Sequence, residues 1–181
     1  MILKNCSKLK LLLSLLLFFT FGRKSVAQDW PVVMRITDSA EFVAMEPMVD
    51  SAISYLRNTL PQDDVIGRMK AVDFLDKWIS GVPYIIINQL DYLLKHSEKN
   101  HELMTQHVAG KLAYLRAHPN TPPDSYASEL NGLIWMIDLY ERGSFPTMEN
   151  MDELVELRKN GEIETWLARK IPSDWEPRAE E

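Results

Sequence analysis

From about residue 38 to residue 170, apolar residues recur at intervals of three and four, in blocks of helix length that end on proline or glycine. Almost nowhere do they alternate. A chain patterned this way can bury its apolar stripes only by packing helix against helix, so the sequence predicts an all-α fold, a compact bundle of about six to seven helices.

The blocks follow one another closely. Asp38 and Glu41 have capping-box spacing, and Met45, Val49, Ala52, Ile53 and Leu56 make one stripe up to Asn58, with Pro47 either kinking or starting that helix. A second block runs from about Gln62 to Ile79. There Val65, Met69, Val72 and Ile79 mark one stripe and Ala71, Phe74, Leu75 and Trp78 another, which predicts wide burial. In "SGVPYIIINQLDYLLKH" the isoleucines favour a strand locally, while Leu90, Leu93 and Leu94 keep helical spacing. With no second β-rich run to take its backbone hydrogen bonds, this stretch is expected to be helix from about Pro83. Asn100 is positioned to cap a helix through Ala117. Pro122-Pro123-Asp124 opens the most apolar helix, carrying Leu130, Leu133, Ile134 and Ile137, which is expected at the centre. Gly143 closes it, Asn160-Gly161 ends the next helix, and Ile163, Trp166 and Leu167 suggest one short turn more. The segments from Tyr55 to Pro83 and from Tyr114 to Pro146 echo each other with starts 59 residues apart, so two helical hairpins related by duplication remain an alternative description.

Ahead of the bundle lies "KLKLLLSLLLFFTFGRKSVAQDW". Its apolar run from Leu11 to Gly22 would span about 18 Å as helix at ~1.5 Å per residue, too short for a bilayer core of about 30 Å. Lysines precede the run and Ser25-Val26-Ala27 offers small residues at a cleavage site, so residues 1–27 read as a signal peptide and the protein as periplasmic or secreted. Arg23-Lys24 departs from the usual neutral flank and leaves an uncleaved anchor as the alternative. The expected organisation is then a signal peptide over 1–27, one helical domain over 28–170 and a flexible tail over 171–181.

The only cysteine, Cys6, falls within that leader. The remainder has no thiol for a disulfide, a nucleophile or a CxxC zinc site, which suits a bacterial exported protein better than a small animal one. Removing the leader's five basic residues leaves 15 basic against 26 acidic residues, a net of −11. That balance disfavours nucleic acid and favours a basic protein partner.

The chemistry-bearing patterns are sparse. "HELMTQH" misses the His-Glu-x-x-His metal motif, and His101 and His107 lie about 600° apart around a helix at ~100° per residue. His96, His101 and Glu102 are the candidate metal group, with a surface cluster the commoner meaning of such a set. Asp138 interrupts the apolar run from Leu133 to Tyr140, so it is expected partly buried and paired with an arginine such as Arg57, Arg68 or Arg116. Trp78 and Trp135 are candidates to line a ligand groove, though core packing is the commoner role at such positions. No serine elbow or phosphate-cradling glycine loop occurs, and no cofactor is implied.

Two resemblances bear on these readings. The run Arg68-x-x-Ala71-x-x-Phe74-Leu75-x-Lys77-Trp78, followed by Gly81-x-Pro83, "LYERG" and "ELRKNGEIETWL", resembles a set of exported helical proteins of Bacteroidetes that carry no assigned activity. The piece "LAYLRAHPNTPPDSYASELNGLI" is similar to the C-terminal helices of Rap1a/Tai-type immunity proteins, without the cysteines usual there. Together they imply an exported helical domain, and the second implies an inhibitor of a basic effector. The sequence therefore points to a non-catalytic domain that binds a protein or small ligand. A hydrolase of exported or cell-wall substrates, using Asp138 or the histidine group, is the competing expectation.

Overall fold

The computed structural model describes Trp30 and residues 38–171; the leader and the tail beyond Ile171 lie outside the described residues. Seven helices make up the described chain: α1 (Ser39–Asn58), α2 (Val65–Gly81), α3 (Asp91–His96), α4 (His101–Ala117), α5 (Tyr126–Arg142), α6 (Glu149–Lys159) and α7 (Ile163–Ala168). No strand occurs among the described residues, so the fold is all-α. None of the described helices is long and apolar enough to cross a membrane.

Local chemistry sets the boundaries. Asp38, Asp64, Asn100 and Ser125 each accept a hydrogen bond from the first turn of the helix they precede, at 2.8–3.2 Å, satisfying amide groups that have no partner within the helix. Pro47 lies inside α1, which continues through it. Gly161, with φ of +73°, reverses the chain between α6 and α7 in a conformation that costs glycine little.

Two apolar clusters meet at α4. One gathers Phe42, Val49, Ile53 and Leu56 of α1 with Phe74, Leu75 and Trp78 of α2 and is closed by Trp30, which stacks on Phe74 at 6.0 Å. The other gathers Leu133, Met136 and Ile137 of α5 with Met151 and Leu154 of α6 and Trp166 of α7. The sequence places α5 at the centre, and α5 does pack against α4, α6 and α7. The helix most completely enclosed is nevertheless α4, in which every residue from Thr105 to Leu112 is buried.

Two expectations need correction. The stretch from Pro83 is not helix: residues 82–90 form a non-helical strap, bent at Pro83-Tyr84 and with extended backbone at Val82 and Leu90, and α3 begins only at Asp91. Ile85 and Ile87 turn toward the first cluster while Tyr84 and Ile86 face solvent, a period of two that a helix cannot produce. In α2, Val65 and Met69 are exposed, so burial is confined to the face carrying Ala71, Val72, Phe74, Leu75 and Trp78.

The α4–α5 crossing is made possible by two glycines. A Cβ on Gly110 would lie 2.9 Å from the Cα of Gly132, and one on Gly132 would lie 2.7 Å from the carbonyl oxygen of His107. Backbone atoms cannot step aside as a flexible side chain can. Alanine ordinarily favours a helix over glycine by about 1 kcal/mol, whereas forcing a methyl into a close-packed contact costs about 1–3 kcal/mol. Gly132→Ala is therefore expected to lower the unfolding free energy by up to about 2 kcal/mol, read from the urea midpoint; a midpoint raised by the full ~1 kcal/mol of helix propensity would mean that the helices separate at no cost.

Candidate functional site

With the backbones so close, the polar side chains at the α4–α5 crossing are sealed inside. Glu129 of α5 and Lys111 of α4 are both fully buried, with Lys111 Nζ 2.6 Å from Glu129 Oε2 in a contact that is Coulombic rather than an aligned hydrogen bond. The other carboxylate oxygen, Oε1, lies 3.1 Å from His107 Nε2 and accepts a short hydrogen bond from the hydroxyl of Tyr92 in α3. His107 Nε2 faces two oxygens, Glu129 Oε1 and the Tyr92 hydroxyl at 3.3 Å. Nε2 is thus the ring nitrogen turned to the carboxylate, and the buried Nδ1 has no hydrogen-bond partner. Burial pushes the Glu129 carboxyl up, but the hydrogen bond and charge of His107, followed by the Lys111 ammonium, outweigh it and hold the pKa down to about 2. Burial and the same carboxylate push Tyr92 well above its ordinary value. The cluster is closed and balanced.

The candidate residues of the sequence analysis scatter around this core. Asp138 sits in a two-arginine clamp, with Arg57 Nη2 at 2.6 Å and Arg158 Nη1 at 2.5 Å. Arg57 is among the expected partners; Arg158 supplies the second arm, whereas Arg68 and Arg116 bind elsewhere. Burial raises the Asp138 carboxyl, but Arg158 and Arg57 together bring it below its ordinary value. Trp78 is fully buried and donates its indole N–H to the Phe42 carbonyl at 3.2 Å. Trp135 lies beneath the Arg57 guanidinium, 4.6 Å from its ring centre, beside a shallow depression of about 440 Å³.

His96, His101 and Glu102 each turn to a different partner. The buried His96 bonds through Nδ1 to the Tyr92 carbonyl at 2.7 Å and rests edge-on against Trp166. Glu102 receives the guanidinium of the fully buried Arg68 at 2.7 Å, and Arg68 in turn donates to the carbonyls of Leu56 and Thr59 at the end of α1. His101 is exposed and pairs with Asp76 of α2 at 3.3 Å. Among the described residues, no group of three or more His, Cys, Asp or Glu side chains converges to hold a metal ion.

The His101–Asp76 pair lies at a concavity. A groove of about 610 Å³ runs between α2, the strap and α4. Ile79, Val82, Ile85, Ile87 and Val108 make its walls, and Asp76, His101 and Ser80 supply polar groups. The Asp76 carboxyl is raised from its ordinary value by burial, with His101 pulling it down and Asp73 pushing it further up. It is thus a half-buried anion with incomplete compensation. Asp76 carries no mark in the sequence, because nothing in its spacing shows that the strap folds beside it. Glu129 and Lys111 did leave a signal. Glu129 lies four residues before Leu133, and Lys111 three after Val108, each on the inner stripe of its helix.

Comparison with protein-family models, with curated proteins and with solved structures finds no match to this chain. What defines it is its own geometry, an all-α bundle with a sealed ionic cluster where α4 crosses α5 and a groove of mixed aliphatic and polar lining with the Asp76–His101 pair on one flank.

The linkage of Glu129 sets a pH dependence. Its folded pKa lies below the unfolded value, so its stabilising contribution is present above about pH 4.5 and is lost as pH falls toward about 2. At ~1.4 kcal/mol per pKa unit this is a loss of about 3 kcal/mol. Urea unfolding at a series of pH values should show the decline, and Glu129→Gln should flatten it. At neutral pH the same variant strands the Lys111 ammonium and is expected to cost about 3–5 kcal/mol; a cost below 1 kcal/mol would show that the cluster is not sealed.

Proposed function

We propose that this protein is an exported, non-catalytic binding domain, and that the groove between α2, the strap and α4 takes an apolar ligand bearing a cationic group. The observation that carries the reading is the placement of the half-buried Asp76, beside His101, in a groove whose aliphatic walls of isoleucine and valine are interrupted by Ser80, Gln89 and Thr105. Concave sites of ~300–1,000 Å³ with apolar walls and a few polar groups are the usual form of ligand sites. Asp76 gives the site its charge preference. Its carboxylate is destabilised by burial, and a cation brought beside it relieves that cost. The acidic balance of the whole chain works in the same direction, drawing cations toward the surface before contact.

The reading is tested by calorimetric titration with an alkylammonium and with the alkylsulfonate of equal chain length. The ammonium is expected to bind and the sulfonate to bind at least tenfold more weakly. Asp76→Asn should weaken the ammonium about tenfold, the value of one charge-assisted contact, while Met104→Trp, which fills the groove, should weaken both. Equal binding of the two head groups would overturn the reading. So would chemical turnover of the ligand, which would favour the hydrolase alternative instead.

A further inference from the structure

We infer that the groove's natural ligand is an extended, basic peptide segment of a partner protein, which pairs its backbone with the strap as an added strand. The inference rests on the binding reading above and names the ligand class. It begins from the strap's backbone. Val82 and Leu90 have extended backbone, and between them, past a bend at Pro83-Tyr84, Ile85 and Ile87 turn inward while Ile86 faces out; no described residue exchanges a hydrogen bond with the main chain of Tyr84, Ile85, Ile86 or Ile87. An extended segment with open N–H and C=O groups is the template on which another strand adds.

The segment is also held in place. Val82 is buried at one end, and the Tyr84 hydroxyl donates to Glu46 at 2.9 Å. Toward the other end, Asn88 donates to Asp124 at 2.8 Å and its carbonyl lies 3.5 Å from Lys111 Nζ. Anchors at both ends keep the intervening residues extended, so a partner strand would meet a preformed edge and lose less entropy on binding.

Side-chain alternation decides what sequence fits. A strand beside the strap places every second residue on the face of Ile85 and Ile87, next to the groove. One such residue must be apolar to enter among Ile79, Val82 and Val108. A lysine or arginine two positions along, on the same face, has the length to reach Asp76. The charged groups facing the strap select for a cationic segment. Glu46 is offset by Arg116, which also holds Asp50, and Lys111 by Glu129, so the negative charge left facing the strap is that of Asp76, beside the exposed His101, and of Asp124, which accepts from the neutral Asn88.

The test uses the acetylated, amidated pentapeptide Thr-Val-Thr-Lys-Thr, whose valine and lysine share one face of a strand, and a version of it methylated on the valine and lysine amide nitrogens. Side chains and charge are the same in the two, so only strand pairing separates them. The unmethylated peptide is expected to bind, to protect the amides of the strap isoleucines from hydrogen exchange, and to lose at least tenfold in affinity on methylation. Equal affinity of the two peptides, or binding without protection of the strap, overturns the strand while leaving the groove reading intact if the alkylammonium binds. Failure of the peptide and the alkylammonium alike overturns both. Concentration-dependent protection of the strap without peptide would assign it to a second copy of this chain and overturn the peptide proposal.

Discussion

The contact between Gly110 of α4 and Gly132 of α5 is the constraint on which the rest of the structure depends. Where a side chain stood at either position, the two helices would have to separate, and water could reach the residues one turn away on each. Those residues are His107, Lys111 and Glu129. Their burial is tolerable only because they satisfy one another: an isolated buried ion would cost several kcal/mol, whereas a paired and hydrogen-bonded set costs far less. Close approach and charge pairing are thus one requirement. Without the glycines the ionic cluster would be wet, and without the cluster the close crossing would trap an uncompensated charge.

Much of the fold was legible in the sequence because helix boundaries are local chemistry. Asp38 and Asn100 cap the helices they were expected to cap, and Asn160-Gly161 ends α6 as its composition suggests. The pairing of Asp138 with Arg57 was also readable, since an acid in an apolar run must find a cation. Residues 82–90 were misread for a physical reason. The argument against a strand assumed that an extended segment needs a strand partner, but an exposed strap can leave its backbone groups to water. Its isoleucines then satisfy their own preference for extended backbone while burying every second side chain.

The site was harder to read, because its residues come from three elements that tertiary packing alone brings together. Asp76 and His101 belong to different helices, and their meeting depends on the angle between α2 and α4. Inner-stripe position did mark Glu129 and Lys111, but charge type hid them. A charged residue is ordinarily assigned to the solvent face, and α4 carries so many polar residues that its enclosure is invisible to apolar counting. The two echoing hairpins show the same limit. Positions 59 residues before Gly110 and Gly132 hold Ser51 and Asp73, so α1 and α2 have the hairpin grammar of α4 and α5 without the glycine pair at the matching positions.

The buried cluster and the strap are joined through the same side chains. Lys111 contacts both Glu129 and the Asn88 carbonyl, and Tyr92, at the start of α3, places its hydroxyl on Glu129. The chain between Gly81 and Asp91 is therefore fixed at its far end by groups whose position is set by the α4–α5 crossing. A strap tied in this way does not need a sheet to stay extended. The geometry of the groove's outer wall follows from the charge balance in the core, so a change that loosens Glu129 would act on the strap as well as on stability. The two glycines, by fixing how deeply Lys111 and Glu129 are enclosed, set where that wall stands.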